Sequence, residues 1–155
     1  MLQAPKSPSD VAASLTEAER RCARRGARLT PGRRRTLEIL LEAGKPLGAY
    51  EVLEKLAADG FGAQPPVAYR ALDFLIELGL VHRVRKLNAF TACAHPEAAH
   101  SAAFLICRLC GGVAETCAEP KRGALGRAAR AIGFEIERTI VEAEGVCADC
   151  REPAA

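Results

Sequence analysis

Pro65-Pro66-Val67-Ala68-Tyr69-Arg70-Ala71-Leu72-Asp73-Phe74-Leu75 is the stretch that decides how the first half of this chain is read. Pro65 and Pro66 suit the first turn of a helix, where a missing backbone N–H costs nothing. Val67, Ala71, Phe74, Leu75 and Leu78 then recur at i, i+4, i+7, i+8 and i+11, which predicts one buried face. Tyr69, Arg70, Asp73 and Glu77 fall on other faces, and Gly79 ends the helix. Downstream, residues 80–85 and 89–93 flank a turn near residues 86–88 and read as a two-stranded hairpin. Upstream, across the short loop 61–64, a helix over residues 49–58 buries Val52, Leu53 and Leu56 and stops at Gly60. Before that, Thr30 as N-cap and Pro31 at the first helical position open another helix. Leu37, Leu40 and Leu41 form its apolar stripe, and Gly44 and Pro46 end it. Three helices closed by a hairpin describe a winged helix-turn-helix. A preceding helix over residues 14–25 carries Arg20, Arg21, Arg24 and Arg25 as a basic stripe, and the Pro- and Ser-containing start reads as a disordered leader.

In a helix-turn-helix, the first residues of the second helix reach base edges in the major groove. Here these are Val67, Ala68, Tyr69 and Arg70. Arg70 has the fork to hold a guanine bidentately, and Tyr69 can pack on a thymine methyl or bond a phosphate. Arg83 and Arg85 in the wing are expected on phosphates, where they fix position without reading sequence. So is the run of eight arginines without an acid between residues 20 and 35, Arg24, Arg25 and Arg28 among them. The net charge of +3 hides an uneven split. Residues 1–87 carry 15 Lys and Arg against 10 Asp and Glu, whereas residues 88–155 carry 7 against 9. A solvated basic helix would give the same run. The coincidence of stripe, turn, helix and wing favours DNA.

The second half is organised by two C-x-x-C pairs, Cys107/Cys110 and Cys147/Cys150, with 36 residues between them. Each pair can hold two sulfurs on one side of a tight turn, and two such turns complete a tetrahedral Cys₄ shell suited to Zn²⁺. The gap exceeds the roughly 15–20 residues of a compact zinc ribbon, so a small subdomain must fold between the knuckles. Disulfides or a redox pair are the rival readings. Strands are expected over residues 103–107, 113–117 and 134–144, with a helix over 121–132 in which Gly123 and Gly126 are the candidate break points. A unit of about 55 residues rarely stabilises itself without a metal or a partner chain, so zinc and dimerisation are both expected.

Composition agrees with an ordinary globular protein, 49% hydrophobic and 26% charged. No apolar run approaches the roughly 18–20 residues of a membrane span. The first ten residues contain no apolar core of a secretory signal, which, with seven cysteines, suggests a reducing cytoplasm. The expected organisation is α+β: a leader over 1–13, a winged-helix domain over 14–93, a hinge over 94–100, and a zinc-binding α/β dimerisation domain over 101–152.

Once the Cys₄ set is assigned, His82, Cys93, His100 and Glu115 remain, distributed over wing, hinge and second domain. Together they can make a mixed N₂SO shell for a second Zn²⁺ joining the domains. Taken singly, each is as readily an ordinary surface or packing residue. An enzyme reading also exists, because His95-Pro96-Glu97 followed by Cys107 and Cys110 mimics the H-x-E…P-C-x-x-C signature of zinc deaminases. Ile106 stands where that proline belongs, only nine residues separate the two parts, and the second cysteine pair goes unexplained. Another reading is a constitutive DNA-binding protein with structural zinc alone. Cys22 and Cys117 have no assigned partner and are expected in the core.

The stretch from Pro65 to Leu75 resembles the recognition helix of the ferric uptake regulator family. Val81-His82-Arg83, Leu87-Asn88-Ala89-Phe90, residues 104–111 and Cys147-Ala148-Asp149-Cys150 are similar to its zinc uptake regulator branch. The resemblance covers roughly residues 15–150 and rests on several motifs at once. It implies a homodimeric, zinc-responsive transcriptional repressor on an AT-rich inverted repeat of double-stranded operator DNA, with neither a membrane nor a small-molecule substrate as partner. It implies two Zn(II) per chain: a structural ion on Cys107, Cys110, Cys147 and Cys150, and a regulatory ion on His82, Cys93, His100 and Glu115. The His-rich run of iron-sensing relatives is reduced here to His95 and His100, and a thiolate at Cys93 fits zinc better than iron or a peroxide sensor. His95 and Glu97 are the residues left for any third metal site.

Overall fold

A computed structural model describes residues 2–96 and 100–151. The chain divides into two compact units, residues 3–96 and residues 97–155 with 1–2. Glu97 and the rest of 97–99 in the expected hinge lie outside the described residues.

The first unit opens with α1 (Pro8–Arg24). Ser7 caps it, its hydroxyl accepting from the Asp10 N–H at 3.2 Å, with Pro8 in the first turn. The helix therefore begins six residues before the expected Ser14 and takes in part of the stretch read as a disordered leader. Ser7-Pro8-Ser9-Asp10 is polar because it starts a helix, a distinction that composition alone does not make. Val11, Leu15, Ala18 and Cys22 recur at i, i+4, i+7 and i+11 and are buried. Next come α2 (Pro31–Ala43), α3 (Ala49–Ala58) and α4 (Pro65–Glu77). Thr30 holds the cap position of α2, but its side chain makes no cap bond. Gly44 ends α2 at φ +59°, a left-handed conformation that suits glycine.

The buried face of α4 differs from the expected one. Ala68, Ala71, Leu72 and Leu75 are buried, whereas Val67 and Phe74 are only partly covered. The face is rotated toward Ala68 and Leu72, both fully inside, and away from Val67 and Phe74. Phe74 stays at the rim, where the Arg33 guanidinium lies 3.6 Å from its ring centroid.

The wing is β1 (Val81–Val84) against β2 (Ala89–Ala92), antiparallel, with Val81 opposite Ala92, His82 opposite Thr91 and Arg83 opposite Phe90. Asn88, at φ +46°, closes its turn. Leu47, just before α3, exchanges backbone hydrogen bonds with Phe90 at 2.9 and 2.7 Å and ties the wing to the helices.

In the second unit, β3 (Ala102–Cys107) is the central strand, antiparallel to β4 (Val113–Cys117) and parallel to β5 (Val141–Gly145). α5 (Ala124–Ala131) lies between β4 and β5 in the chain. The strand expected over 134–144 is realised only from Val141, because β3 begins at Ala102 and offers no ladder partner before it. The helix expected over 121–132 starts later, at Ala124. Gly126 does not break it: a Cβ there would come within 1.7 Å of the Lys121 carbonyl oxygen, so only glycine fits. Among the described residues, no helix is long and apolar enough to cross a membrane.

Candidate metal centres and nucleic-acid face

The four knuckle cysteines are positioned by the two ladders of β3. The strand ends at Cys107, and Gly111, at φ +70°, turns the chain back so that the Cys107 N–H donates to Gly112 O and the Gly111 N–H to Cys107 O, both at 2.9 Å. The parallel strand β5 arrives alongside, with the Arg108 N–H donating to Gly145 O at 2.9 Å. A short 3₁₀ turn over Ala148–Cys150 then folds Cys150 back beside Cys147. All four sulfurs lie within 4.8 Å of one another.

Cys110 Sγ and Cys147 Sγ are 3.8 Å apart. A tetrahedron of Zn–S bonds near 2.3 Å requires sulfurs about 3.8 Å apart, whereas a disulfide needs about 2.05 Å. None of the seven cysteines is joined in a disulfide, which sets the disulfide reading aside. Two backbone amides also point at sulfur, Gly112 N at Cys110 and Cys147 N at Cys107, each at 3.4 Å. Backbone N–H groups, those of Cys110 and Cys147 foremost, draw the Cys107 thiol down to about 6. Its neighbours Cys147 and Cys110 push Cys150 up to about 12. Crowded thiols resist sharing negative charge unless a cation takes it up. The donor set therefore fits a tetrahedral zinc ion.

The other expected quartet divides two and two. In the first unit, His82 sits half-buried in β1, and Cys93, 3% exposed, directly follows β2. The Cys93 N–H donates to Leu80 O at 2.9 Å, so the ribbon continues to that residue. In the second unit, His100 Nε2 lies 2.9 Å from Glu115 Oε1, with side chains only 9% and 1% exposed. A carboxylate so deeply covered requires a proton or a cation beside it. His95 is exposed. Cys22 is packed in the core as expected, and burial raises its thiol pKa. Cys117 is exposed, contrary to the core position expected for it, because it ends β4 where the sheet runs out.

Tyr69 and Arg70 project from the first turns of α4 into solvent. The basic stretch behind them is less open than its composition suggests. Arg21 donates to Leu78 O, Arg33 covers Phe74, and Arg34 pairs with Glu19. Arg35 bonds Asp59 at 2.6 Å and Glu38 at 2.8 Å, and the Asp59 bond above all holds it firmly protonated. These four, expected on phosphates, instead join the first unit's own elements. Arg24 reaches Glu17 at 2.8 Å, Arg25 donates to Glu77 O at 3.3 Å, and Arg83 is held across the wing turn by Asn88 at 2.7 Å. Arg28 is exposed.

A winged helix in one unit and a four-thiolate knuckle in the other define a metal-binding member of the winged-helix DNA-binding class. The Ferric uptake regulator family model matches residues 24–143, and the chain belongs to that family. It is 39% identical over 139 residues to the Zinc uptake regulation protein of Escherichia coli (strain K12), covering 89% of this chain and 81% of that protein. A solved structure of a zinc uptake regulator complexed with zinc and DNA superposes with a TM-score of 0.85 at 37% identity, covering 94% of this chain and 96% of that one. The crystal structure of holo XcZur gives 0.78 at 41% identity, over 89% and 96% of the two chains.

Proposed function

We propose that the protein is a zinc-responsive transcriptional repressor that binds operator DNA as a homodimer and controls zinc-uptake genes. The observation that carries this is a sulfur cage of zinc dimensions in a chain so similar to a regulator solved with zinc and DNA. Each chain takes two zinc ions and works in the cytoplasm on an AT-rich inverted repeat. Cys107, Cys110, Cys147 and Cys150 hold the structural ion. His82, Cys93, His100 and Glu115 hold the regulatory one, and the thiolate of Cys93 favours zinc over iron. When bound, zinc supplies a tetrahedral link among those four side chains and neutralises the thiolate and carboxylate. Because DNA and the regulatory metal act on one equilibrium, each tightens the other by the same factor.

Membership in a family of transcription regulators replaces the deaminase reading. Cys107 and Cys110 close a cage with the second cysteine pair and leave no open position for a catalytic water. A third site on His95 and Glu97 has only the exposed His95 among the described residues.

On the DNA side, Tyr69 and Arg70 read bases, and Arg24, Arg25, Arg28, Arg83 and Arg85 set position on phosphates. The Glu17 carboxylate and the Asn88 side-chain oxygen keep Arg24 and Arg83 oriented when DNA is absent. Arg70→Ala is expected to weaken cognate binding by about 1–3 kcal/mol, as for one bidentate base contact, and binding to random duplex far less. Titrating both duplexes at one salt concentration tests this. Equal losses on the two would make Arg70 a phosphate contact.

A further inference from the structure

The chain before α1 is not a free tail. Thr91, opposite His82 in the wing register, is 3% exposed, and its hydroxyl donates to Gln3 Oε1 at 2.9 Å across 88 residues of sequence. Lys6 anchors the same segment twice, its N–H to Leu41 O at 3.3 Å and its Nζ to Ser14 Oγ at 3.2 Å. Between them the segment passes so close to the end of α2 that a Cβ on Gly44 would stand 1.9 Å from Pro5 N. Residues 3–6 are thus seated along α2 and end against the wing.

We infer that this arm positions the metal-binding half of the wing, with Gln3 acting through Thr91 on His82 and Cys93. The inference rests on reading those two residues as zinc ligands. Directly opposed residues of an antiparallel pair share a face, with Cβ atoms about 5 Å apart. Strand alternation puts Cys93 on the face of Thr91 as well. A two-stranded ribbon is floppy by itself, so the ligand geometry depends on what holds it. Leu47 grips the ribbon through Phe90, and Gln3 fixes the adjacent residue by its hydroxyl. With the Thr91 proton committed to Gln3, its oxygen lone pairs are directed elsewhere and its rotamer is set. Thr91 and Gln3 are positioning residues, since neither supplies a metal ligand.

The test uses the full chain with the four-cysteine site filled. A chromophoric chelator competes for the second zinc, and Co²⁺ substitution reports thiolate coordination by its charge-transfer band. Loss of an outer partner of a metal ligand typically costs 10–100-fold in affinity. Thr91→Val and Gln3→Ala, each one contact further out than such a partner, should weaken the second metal by about 10-fold, the low end of that range, and alter the band, with the melting temperature and the four-cysteine site unchanged. Thr91→Ser, which keeps the hydroxyl, should restore the wild-type affinity and band. Wild-type metal affinity in Thr91→Val and Gln3→Ala, with the second metal lost in Cys93→Ser, overturns the arm's role alone. Retention of the second metal by Cys93→Ser overturns the ligand assignment, and the arm's role with it. A loss accompanied by general destabilisation would mark the contact as structural and also overturn the proposal.

Discussion

Replacing Cys107 with serine should strip the structural zinc from each chain and abolish cooperative melting of the second unit. Among the described residues that unit holds one short α-helix and a three-stranded sheet, with few residues from which to build a core. Its buried apolar side chains are Ala103, Phe104, Ile106, Val113 and Ala129, beside Cys107 itself. Structural zinc in small modules contributes about 10–16 kcal/mol of apparent binding free energy, and that energy is folding energy. Whole domains retain a net stability of only about 5–15 kcal/mol, so nothing of comparable size is in reserve. Zinc content by mass spectrometry and unfolding by calorimetry read the result. The first unit, with its own core from Val11 to Phe90, should keep its transition. A variant with full zinc content and both transitions would mean that the cage contributes nothing to the fold.

Cys93→Ser should have the opposite profile. The substitution exchanges one small side chain for another just past the last strand of the wing, outside the three-stranded sheet of the second unit. Folding and dimerisation should survive, as sedimentation and melting would show. What should disappear is the zinc dependence of DNA binding. Coupling free energies between an effector and its linked ligand are typically about 1–3 kcal/mol, or 5–150-fold, and in the variant this factor should fall to about one. A monomeric or misfolded variant would refute the division between one ion that builds and another that signals. A variant that still responds to zinc would remove Cys93 from the sensing set.

Local features of this fold were largely readable in the sequence. Pro65-Pro66, Pro31 and the glycines after the helices punctuate the chain through backbone restrictions that act within a turn. The wing showed itself by alternation, and the knuckles by the spacing of their cysteines. Pairings between distant segments did not. Arg35 meets Asp59 24 residues away, and Gln3 meets Thr91 88 residues away, without any periodic signal. The arginine run therefore looked more open than it is, and the arm looked like a tail. The face of α4 was misjudged for a related reason: Val67 and Phe74 fit a helical period as well as Ala68 and Leu72 do, and only the packing of distant segments decides which pair goes inside. Cys117 could not be placed without knowing where the sheet ends.

The central claim is that zinc at the His82, Cys93, His100 and Glu115 set controls operator affinity, and one titration addresses it directly. Protein carrying one zinc per chain is mixed with a fluorescent AT-rich inverted repeat from a zinc-importer promoter. Free zinc is then raised in a buffered series while anisotropy is recorded, with iron and manganese in parallel. The account predicts a steep rise in affinity with zinc that neither iron nor manganese reproduces. Binding that is already tight with one zinc and indifferent to more would contradict it, leaving a DNA-binding dimer whose only metal is structural.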